Sequence, residues 1–511
     1  MIRMQKVLSG LIVCLLHLAL VSGTARPEVA AYPRAACDLA NSDFPSVKVD
    51  GTAVETVSTD MNVGYTHFAF SGEVAVEVTV KEAIETFDLS PHRYGIQAVA
   101  KGNVLSFRLS QPRKLHLKVN GLTRFFIFAD APEENPPRPG QPGVYDIGDY
   151  GVASSLDSVQ TENIQRAIDD VASKKGVLFV PPGVYLSGEL KAKSDLTLYL
   201  SAGAVLRGTA KISDYPRGRF GTQLIHLLDC ENVRIMGRGA LDGKGRALRY
   251  ATKNSGDGRL KLIRSFRARN IVVEDVLLRD AGTWSIHLIE SSDLRFTNTK
   301  LISNTILDEP GFPWEPNTDG FDPDNSSRVI IENGFVSCSD DAIAVKLRYG
   351  TLRDMDNVQF RSNVVWTVKS ALKIGTEVVD RKMTNIVFEN NEVIHADRGI
   401  VVYCYRGATI ENPRWINNYF ERIGDNIKEM NIEMNIRDVE GRGRLNDVLI
   451  KDNTFERFSP NPSSLRGLDS QHVIDGVVFD NLVIAGKKQT SLDEAEITSN
   501  EHVKNVLFKV K

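Results

Sequence analysis

Two short segments hold three aspartates whose type and spacing suit the hydrolysis of a glycosidic bond. Asp319 lies in Asn317-Thr318-Asp319-Gly320, and Asp340 and Asp341 are adjacent in Ser339-Asp340-Asp341. Asp319 precedes Asp340 by 21 positions, which is close to one turn of a β-helix. Residues one turn apart lie on neighbouring strands about 4.8 Å apart. The spacing therefore predicts that the three carboxylates crowd one patch of a sheet.

Crowded carboxylates have the electrostatics that acid–base catalysis needs. Like charges raise one another's pKa, so one carboxyl group keeps its proton while its neighbours are ionised. An acid beside a base is what hydrolysis of a glycosidic bond requires. Spacing alone leaves two other interpretations open, a calcium site or the aspartates of an exposed turn.

The elements that must position these aspartates are indicated by a repeated short pattern. An Asn, Asp, Arg or Gly is followed by an aliphatic residue, any residue and a second apolar residue, usually at intervals of about 23 to 38 residues. The units begin at Asn232, Asn270, Asp293, Arg328, Asn357, Asn385, Asp447, Gly476 and Asn505. Each strand is too short to bury its own face, so the coils must stack. The pattern predicts a right-handed parallel β-helix over residues 144–511 rather than a β-propeller, whose blades would repeat more regularly.

Two further segments precede the repeats. Residues 37–130 alternate polar and apolar residues in short runs such as Val74–Val80 and Val104–Ser110, which indicates an antiparallel β-sandwich. Residues 131–143 are rich in proline and read as a stiff linker. The fold class predicted is thus all-β, with a small sandwich before the β-helix.

One helix is predicted after the linker, over residues 159–173. Ile164, Ala167, Ile168 and Val171 recur at helical spacing, behind an N-cap at Asp157 or Ser158 and before a stop at Gly176. We expect it to cover the open N-terminal end of the β-helix, because an exposed coil edge invites association.

Composition limits the class of protein. A hydrophobic fraction of 42%, a charged fraction of 25% and a net charge of −3 exclude a disordered chain and make nucleic acid an unsuitable partner.

Residues 1–25 resemble a signal peptide, with Arg3 and Lys6 before the apolar run Val7–Val21 and small residues at Gly23-Thr24-Ala25. We therefore expect a secreted protein, extracellular or periplasmic, with no membrane association after cleavage.

Export would permit disulfides. Cys37, Cys230, Cys338 and Cys404 allow three pairings, and buried free thiols are an equally open interpretation. No C-x-x-C or H-E-x-x-H pattern occurs, so we predict no zinc site.

The stretch Asn317–Lys346 resembles the core signature of polygalacturonase-type glycoside hydrolases, family 28. Segments Val177–Leu190, Leu196–Gly208, Gly237–Gly245 and Thr283–Phe296 resemble the coils before it. The resemblance implies a β-helix, inverting hydrolysis of a polysaccharide and no cofactor. It further implies that Asp340 is the general acid, that Asp319 and Asp341 hold the attacking water, and that Asn317 braces the site.

Two departures from the family pattern concern the substrate. The family's Gly-His-Gly is replaced by Lys369-Ser370-Ala371, and the place of its Arg-Ile-Lys reads Gly399-Ile400-Val401-Val402-Tyr403, with neither Arg nor Lys. In the family those basic residues bind the substrate carboxylate by charge-assisted hydrogen bonds. Lys373 and Arg398, with Arg406, are candidate replacements, and exposed loop charges are the equally open alternative. Asn317, Lys373, Arg398 and Tyr403 are the substrate-binding residues that we predict.

Three other functions remain open on the sequence. Dextranase-like hydrolases also place a β-sandwich before a β-helix with an Asp-Gly and a paired Asp-Asp, which would imply a neutral glucan. A polysaccharide lyase on the same fold and an inactive carbohydrate-binding protein are the others. In each case we expect a monomer whose partner is a polysaccharide or oligosaccharide.

Overall fold

The computed structural model describes residues 28–39, 43–59, 61–216, 221–253, 256–303, 317–424 and 429–510. The predicted signal peptide, residues 1–25, lies outside these ranges. No helix among the described residues has both the length and the apolar character needed to cross a bilayer.

Three long sheets, here called A, B and C in the order in which each coil visits them, form the β-helix. Each strand pairs in parallel with the equivalent strand of the next coil, so that the sheets run along the stacking axis. A hairpin of Val483–Ile484 and Lys487–Lys488 is the antiparallel exception among the described strands of sheet B. This architecture confirms the predicted fold class.

The strands of the three sheets have the following bounds. Sheet A contains Val144–Asp146, Val177–Val180, Thr197–Leu200, Glu231–Met236, Arg269–Glu274, Ser292–Thr297, Ser327–Glu332, Met355–Arg361, Lys382–Glu389, Thr409–Glu411, Arg414–Ile416, Arg444–Lys451, Ile474–Asp480 and Val503–Lys509. Sheet B contains Gly183–Ser187, Ala204–Gly208, Ala240–Asp242, Leu277–Arg279, Lys300–Ser303, Phe335–Cys338, Val364–Thr367, Glu392–His395, Tyr419–Phe420, Thr454–Phe455, Val483–Ile484 and Lys487–Lys488. Sheet C contains Leu190–Lys191, Thr222–Leu228, Leu260–Phe266, Ile286–Ile289, Phe321–Asp324, Ile343–Leu347, Ser370–Val378, Arg398–Cys404, Met430–Ile436, Ser463–Arg466 and Ile497–Ser499.

The repeated units found in the sequence are successive strands of sheet A. Their second residues are in register, for example Val233 with Ile271, Ile271 with Leu294, and Leu294 with Val329. The first residue of every unit has a positive φ, from 53° at Asn270 upward, for example 59° at Asn232 and 77° at Gly476. Asn, Asp and Gly tolerate this left-handed conformation, which explains why they recur there.

A buried ladder of asparagines lines the turns from sheet A to sheet B. Asn363, Asn391, Asn418 and Asn453 are fully buried. Each donates from Nδ2 to Oδ1 of the next, at 3.3, 2.9 and 2.9 Å. These bonds satisfy polar groups that would otherwise be buried without a partner.

The predicted helix forms over Thr161–Ser173 and packs against the first coil. Ile164, Ala167, Ile168 and Val171 are buried, as the spacing required. The N-cap prediction is wrong, because Gln160 takes that position. The second α-helix is Gly245–Ala251, and short 3₁₀ turns are His92–Tyr94, Ile147–Tyr150, Ile212–Asp214 and Gly256–Gly258.

The N-terminal unit is a sandwich of two sheets. One contains Ser46–Val49, Thr52–Val54, Val74–Thr79, Val99–Lys101 and Val104–Leu109; the other contains Val29–Ala31, Thr56–Ser58, Gly64–Phe70, Phe87–Ser90, Arg113–Val119 and Leu122–Asp130. Its first strand begins at Val29, before the expected boundary at residue 37. One pair, Gly64–Phe70 with Leu122–Asp130, is parallel, whereas the other paired strands among the described residues are antiparallel.

The sandwich packs on the outer face of sheet B through aromatic and charged groups. Phe126 and Phe128 lie with ring centroids 4.7 and 5.1 Å from that of Phe335. Asp130, at the end of the sandwich, is 1% exposed and accepts hydrogen bonds from Lys300 and from Arg238 at 2.6 Å. The predicted catalytic segments lie on sheet C, which this contact leaves uncovered.

Because Asp130 is the buried partner of two cations, Asp130→Asn is expected to lower the free energy of unfolding by about 3–5 kcal/mol. Denaturant unfolding at neutral pH measures the change. Glu82→Gln, an exposed acid of the sandwich, is the control and should unfold like the parent protein. Equal stability of the two variants would contradict the assigned role of Asp130.

Candidate active site

The predicted catalytic aspartates lie at the start of consecutive strands of sheet C. Ile263, Ile286, Phe321, Ile343, Leu372 and Ile400 are paired in register from one strand to the next. The residues two positions before each of these form what we call the active-site column: Lys261, Trp284, Asp319, Asp341, Ser370 and Arg398. Backbone bonds confirm the alignment, since Gly320 N–H donates to the carbonyl of Asp341 and Ala342 N–H to that of Ser370.

The structure brings the three aspartates together. Carboxylate oxygens of Asp319, Asp340 and Asp341 lie within 4.8 Å of one another. Asp319 and Asp341 are 3% and 5% exposed, whereas Asp340 is partly exposed. Asn317, the predicted brace, donates from Nδ2 to Oδ2 of Asp340 at 3.1 Å. The backbone N–H of Asp341 donates to Oδ1 of Asp340 at 2.9 Å, so the carboxyl group of Asp340 is held at both oxygens.

Two lysines form ion pairs with carboxylates of the site. Lys346 Nζ lies 3.3 Å from Asp319 Oδ2 and 2.9 Å from Asp322 Oδ1. Lys373 Nζ lies 2.5 Å from Asp341 Oδ2, and the backbone N–H of Ser370 donates to Asp341 Oδ1 at 3.0 Å. Among the described residues, Asp340 is the member of the trio that has no lysine partner.

The pKa values follow from burial and from this pairing. Burial, and then the charges of Asp319 and Asp341, raise the pKa of Asp340 well above its ordinary value. Burial and the charge of Asp322 raise the pKa of Asp319 in the same way. The negative charges of Asp319 and Asp341 therefore favour the protonated form of Asp340. For Asp341, burial is outweighed by the charge of Lys373, and its pKa is lowered.

The predicted substrate-binding residues lie beside the aspartates but have different neighbours. Lys373 faces Asp341 and is 5.2 Å from the ring centroid of Tyr403. Arg398 donates from Nε to the hydroxyl of Ser370 at 3.2 Å. The Tyr403 hydroxyl donates to Glu433. Arg398 therefore contacts Ser370, the serine that replaces the family histidine. Ser370 lies one strand beyond Asp341.

Lys346 and Glu433 have places in the site that sequence reasoning did not give them. Lys346 lies 3.4 Å from the ring centroid of Trp284 and 3.6 Å from Glu377, in addition to its two aspartates. Its position inside the segment that carries Asp340 and Asp341 was the available signal. No comparable signal marks Glu433, whose strand, Met430–Ile436, is far from the motif in sequence.

The four cysteines among the described residues are free thiols, which supports the buried-thiol interpretation. Cys338 donates from Sγ to the carbonyl of Asp340 at 3.2 Å. Burial raises the pKa of this thiol, so it stays protonated. It acts here as a hydrogen-bond donor behind the aspartates.

The described residues thus form a parallel β-helix that carries three clustered carboxylates on sheet C. Residues 172–499 match the sequence model of the Glycosyl hydrolases family 28, and the chain belongs to that family. This confirms the resemblance found in the segment Asn317–Lys346.

Known relatives agree with this assignment. A protein described as a probable polygalacturonase from Vitis vinifera is 26% identical over 308 residues, which cover 52% of this chain and 60% of that protein. A polygalacturonase from Ralstonia nicotianae is 26% identical over 308 residues, covering 47% of this chain and 57% of that protein. The chain thus spans about three fifths of the length of these relatives.

Solved structures share the fold. A hyperthermoactive exopolygalacturonase from Thermotoga maritima superposes with a TM-score of 0.56 at 20% identity, over 74% of this chain and 93% of that one. A family 28 exopolygalacturonase from Yersinia enterocolitica superposes with a TM-score of 0.52 at 16% identity, over 91% and 99%.

Proposed function

We propose that this protein is a secreted glycoside hydrolase that cleaves a polysaccharide, with Asp340 as general acid and with Asp319 and Asp341 holding the attacking water. The observation that carries the proposal is the arrangement of three carboxylates within 4.8 Å, two paired with lysines and the third without one. Family membership supports the same reaction class. Export is proposed from residues 1–25, and N-terminal sequencing of the mature protein tests it.

The chemistry follows from the protonation of the cluster. Asp340 donates its proton to the glycosidic oxygen as the bond from that oxygen to the anomeric carbon breaks. A water molecule forms the new bond to this carbon and gives a proton to a carboxylate. Asp319 Oδ1 is suited to accept that proton, because it is buried and has no hydrogen-bond partner among the described residues.

The stereochemical course is proposed to be inversion. Carboxyl groups less than about 5.5 Å apart are typical of retaining enzymes, so the spacing alone favours retention. The ion pairs argue the other way, because Lys346 and Lys373 stabilise the charges of Asp319 and Asp341 and make both poor nucleophiles. Proton NMR of the first product decides, since inversion and retention release opposite anomers.

The same ion pairs bear on the calcium alternative. Two of the three carboxylates already have a lysine within 3.3 Å, so a divalent cation bound by the trio would face two ammonium groups. Like charges at this distance repel, which favours catalysis over metal binding.

For the substrate we propose a polymer that contains uronate units. Arg398 supports this proposal, because its terminal nitrogens have no hydrogen-bond partner among the described residues and it lies two strands beyond the catalytic pair. A neutral glucan is the second candidate, and it is favoured by the pairing of Lys373 with Asp341 and by the carboxylate of Glu433 near Tyr403.

An assay of the secreted protein against polygalacturonate, rhamnogalacturonan, dextran and pullulan tests the proposal. Reducing ends without ultraviolet absorbance are expected from a hydrolase acting on the first two polymers. Absorbance from an unsaturated product would identify a lyase. Activity confined to dextran or pullulan would establish the neutral-glucan alternative, and no binding or turnover on any polymer would contradict the proposal.

The pairing of Lys373 with Asp341 gives a pH prediction. Lys373 lowers the pKa of Asp341, so that carboxylate is ionised above this low value and is protonated only at lower pH. In Lys373→Gln the pKa rises, and the acid limb of the kcat/KM profile is expected to move to higher pH by roughly 1–3 units. As the pH is lowered, Lys373→Gln is therefore expected to lose activity at a higher pH than the parent protein does.

The pH–rate profile of the Lys373 variants measures this shift. Lys373→Arg keeps the positive charge and should retain the parent profile, and Lys101→Gln, on the sandwich, is the surface control. An acid limb that stays in place in Lys373→Gln would show that Lys373 does not control Asp341.

A further inference from the structure

The active-site column extends beyond the aspartates on the side of the earlier coils. Trp284 lies one strand before Asp319, and Lys261 lies one strand before Trp284. Two strand spacings separate Lys261 from Asp319, about 10 Å along the stacking axis. This leaves room for one sugar unit between the amine of Lys261 and the catalytic carboxylates.

Lys261 is a cation without an ion-pair partner in the described part of the chain. No carboxylate lies within ion-pair distance of its Nζ among those residues, and the centroid of the Trp284 ring lies 6.0 Å from this nitrogen. Burial, with the charge of Arg264, lowers the pKa of Lys261 to about 7, although the charge of Asp322 acts in the opposite direction. An anion bound beside it would restore its usual charge.

The surroundings of Lys261 hold charges of both signs, because Arg264 and Lys346 lie near His287 and Nε2 of His287 lies 3.1 Å from Asp324 Oδ2. His287 follows Trp284 on the same strand and its ring centroid is 4.8 Å from that of Trp284. Burial and the charges of Lys261, Arg264 and Lys346 lower the pKa of His287 well below its ordinary value. Its Nδ1 is buried and has no hydrogen-bond partner among the described residues. The neutral imidazole thus adds an unsatisfied polar atom to the same region.

Resting on the function proposed above, we infer that Lys261 and Trp284 form a uronate subsite next to the catalytic aspartates, on the side of the earlier coils. The carboxylate of the sugar binds the ammonium of Lys261, and the partly exposed indole of Trp284 supplies the apolar surface for the ring. Arg398 lies at the other end of the column. The groove therefore presents a cation on each side of the cleaved bond.

The test compares a charged ligand with its uncharged counterpart. Oligogalacturonate and the same oligomer with its carboxyl groups reduced to alcohols are assayed with Lys261→Gln. We expect kcat/KM on the charged oligomer to fall about 10–100-fold, mainly through KM, because a charge-assisted bond is lost. The value on the reduced oligomer should be unchanged. Equal losses on both oligomers, or none on either, would overturn the subsite.

Two further variants make the result specific. Lys261→Arg keeps the charge and should retain most of the affinity, and Lys504→Gln, an exposed lysine of sheet A, should match the parent protein. Thermal unfolding of each variant shows whether it folds. If Lys261→Gln does not fold, Lys261→Met, which also removes the charge, takes its place in the comparison of the two oligomers.

Binding separates this inference from the function on which it rests. Calorimetry with Asp340→Asn measures the affinity for the charged and reduced oligomers without turnover. If that variant binds the charged oligomer and Asp340→Asn with Lys261→Gln does not, the subsite stands even when the parent protein hydrolyses neither oligomer. If Asp340→Asn has no preference for the charged oligomer, the subsite is refuted whatever the activity.

Discussion

Asp340→Asn is expected to lower kcat by about 10²–10⁴-fold without changing the fold. An asparagine side chain preserves the shape of the group, and its single carbonyl oxygen keeps one of the two hydrogen bonds that Asn317 and the backbone of Asp341 donate. It has no proton to give to the glycosidic oxygen, so the leaving group departs without an acid. The partly exposed position of Asp340 makes the change tolerable for folding.

Initial rates on the substrate found in the polymer panel measure this effect, with circular dichroism as the check of folding. Asp157→Asn, an exposed aspartate before the first helix, is the matched control and should keep the parent rate. A parent rate in Asp340→Asn would remove Asp340 from the role of general acid.

Lys346→Met is expected to lower the free energy of unfolding by about 3–5 kcal/mol at neutral pH. Lys346 is buried against Asp319 and Asp322, and the substitution leaves both carboxylates without the cation that offsets their burial. The pKa of Asp322 is already raised to about 6 by burial. As pH falls through this value, the carboxylates gain protons and need the cation less. The difference in the free energy of unfolding between Lys346→Met and the parent protein should therefore shrink.

Denaturant unfolding at neutral pH and near pH 5 measures both parts of this prediction. Lys382→Met is the matched control, because Lys382 pairs with Glu411 at 2.6 Å on the surface of sheet A. Such a surface pair contributes about 0–1 kcal/mol. If Lys346→Met is as stable as Lys382→Met, then the buried ion pairs of Lys346 do not stabilise the fold.

The β-helix could be predicted because its restrictions are local. Each coil needs a residue that tolerates positive φ before an apolar strand, and Asn232, Asn270 and Asp293 meet that need within a few residues. The helix Thr161–Ser173 was predictable for the same reason, since four apolar residues at helical spacing define its buried face.

The sandwich was predicted less completely. Alternation within runs such as Val74–Thr79 shows a strand but does not say which strand it pairs with. The parallel pairing of Gly64–Phe70 with Leu122–Asp130 joins strands that are distant in the sequence. The first strand, Val29–Ala31, is too short to give a period, so it was left outside the predicted unit.

The sequence by itself determined the family, the type of fold and the clustering of Asp319, Asp340 and Asp341, because one turn of a repeat converts a sequence spacing into a distance between strands. Only the tertiary structure decided which cation meets which carboxylate. Lys373 pairs with Asp341, and Lys261 is left without a partner in the described part of the chain. A lysine side chain is long and flexible, so its partner depends on register, burial and the neighbouring coils, none of which a single sequence specifies.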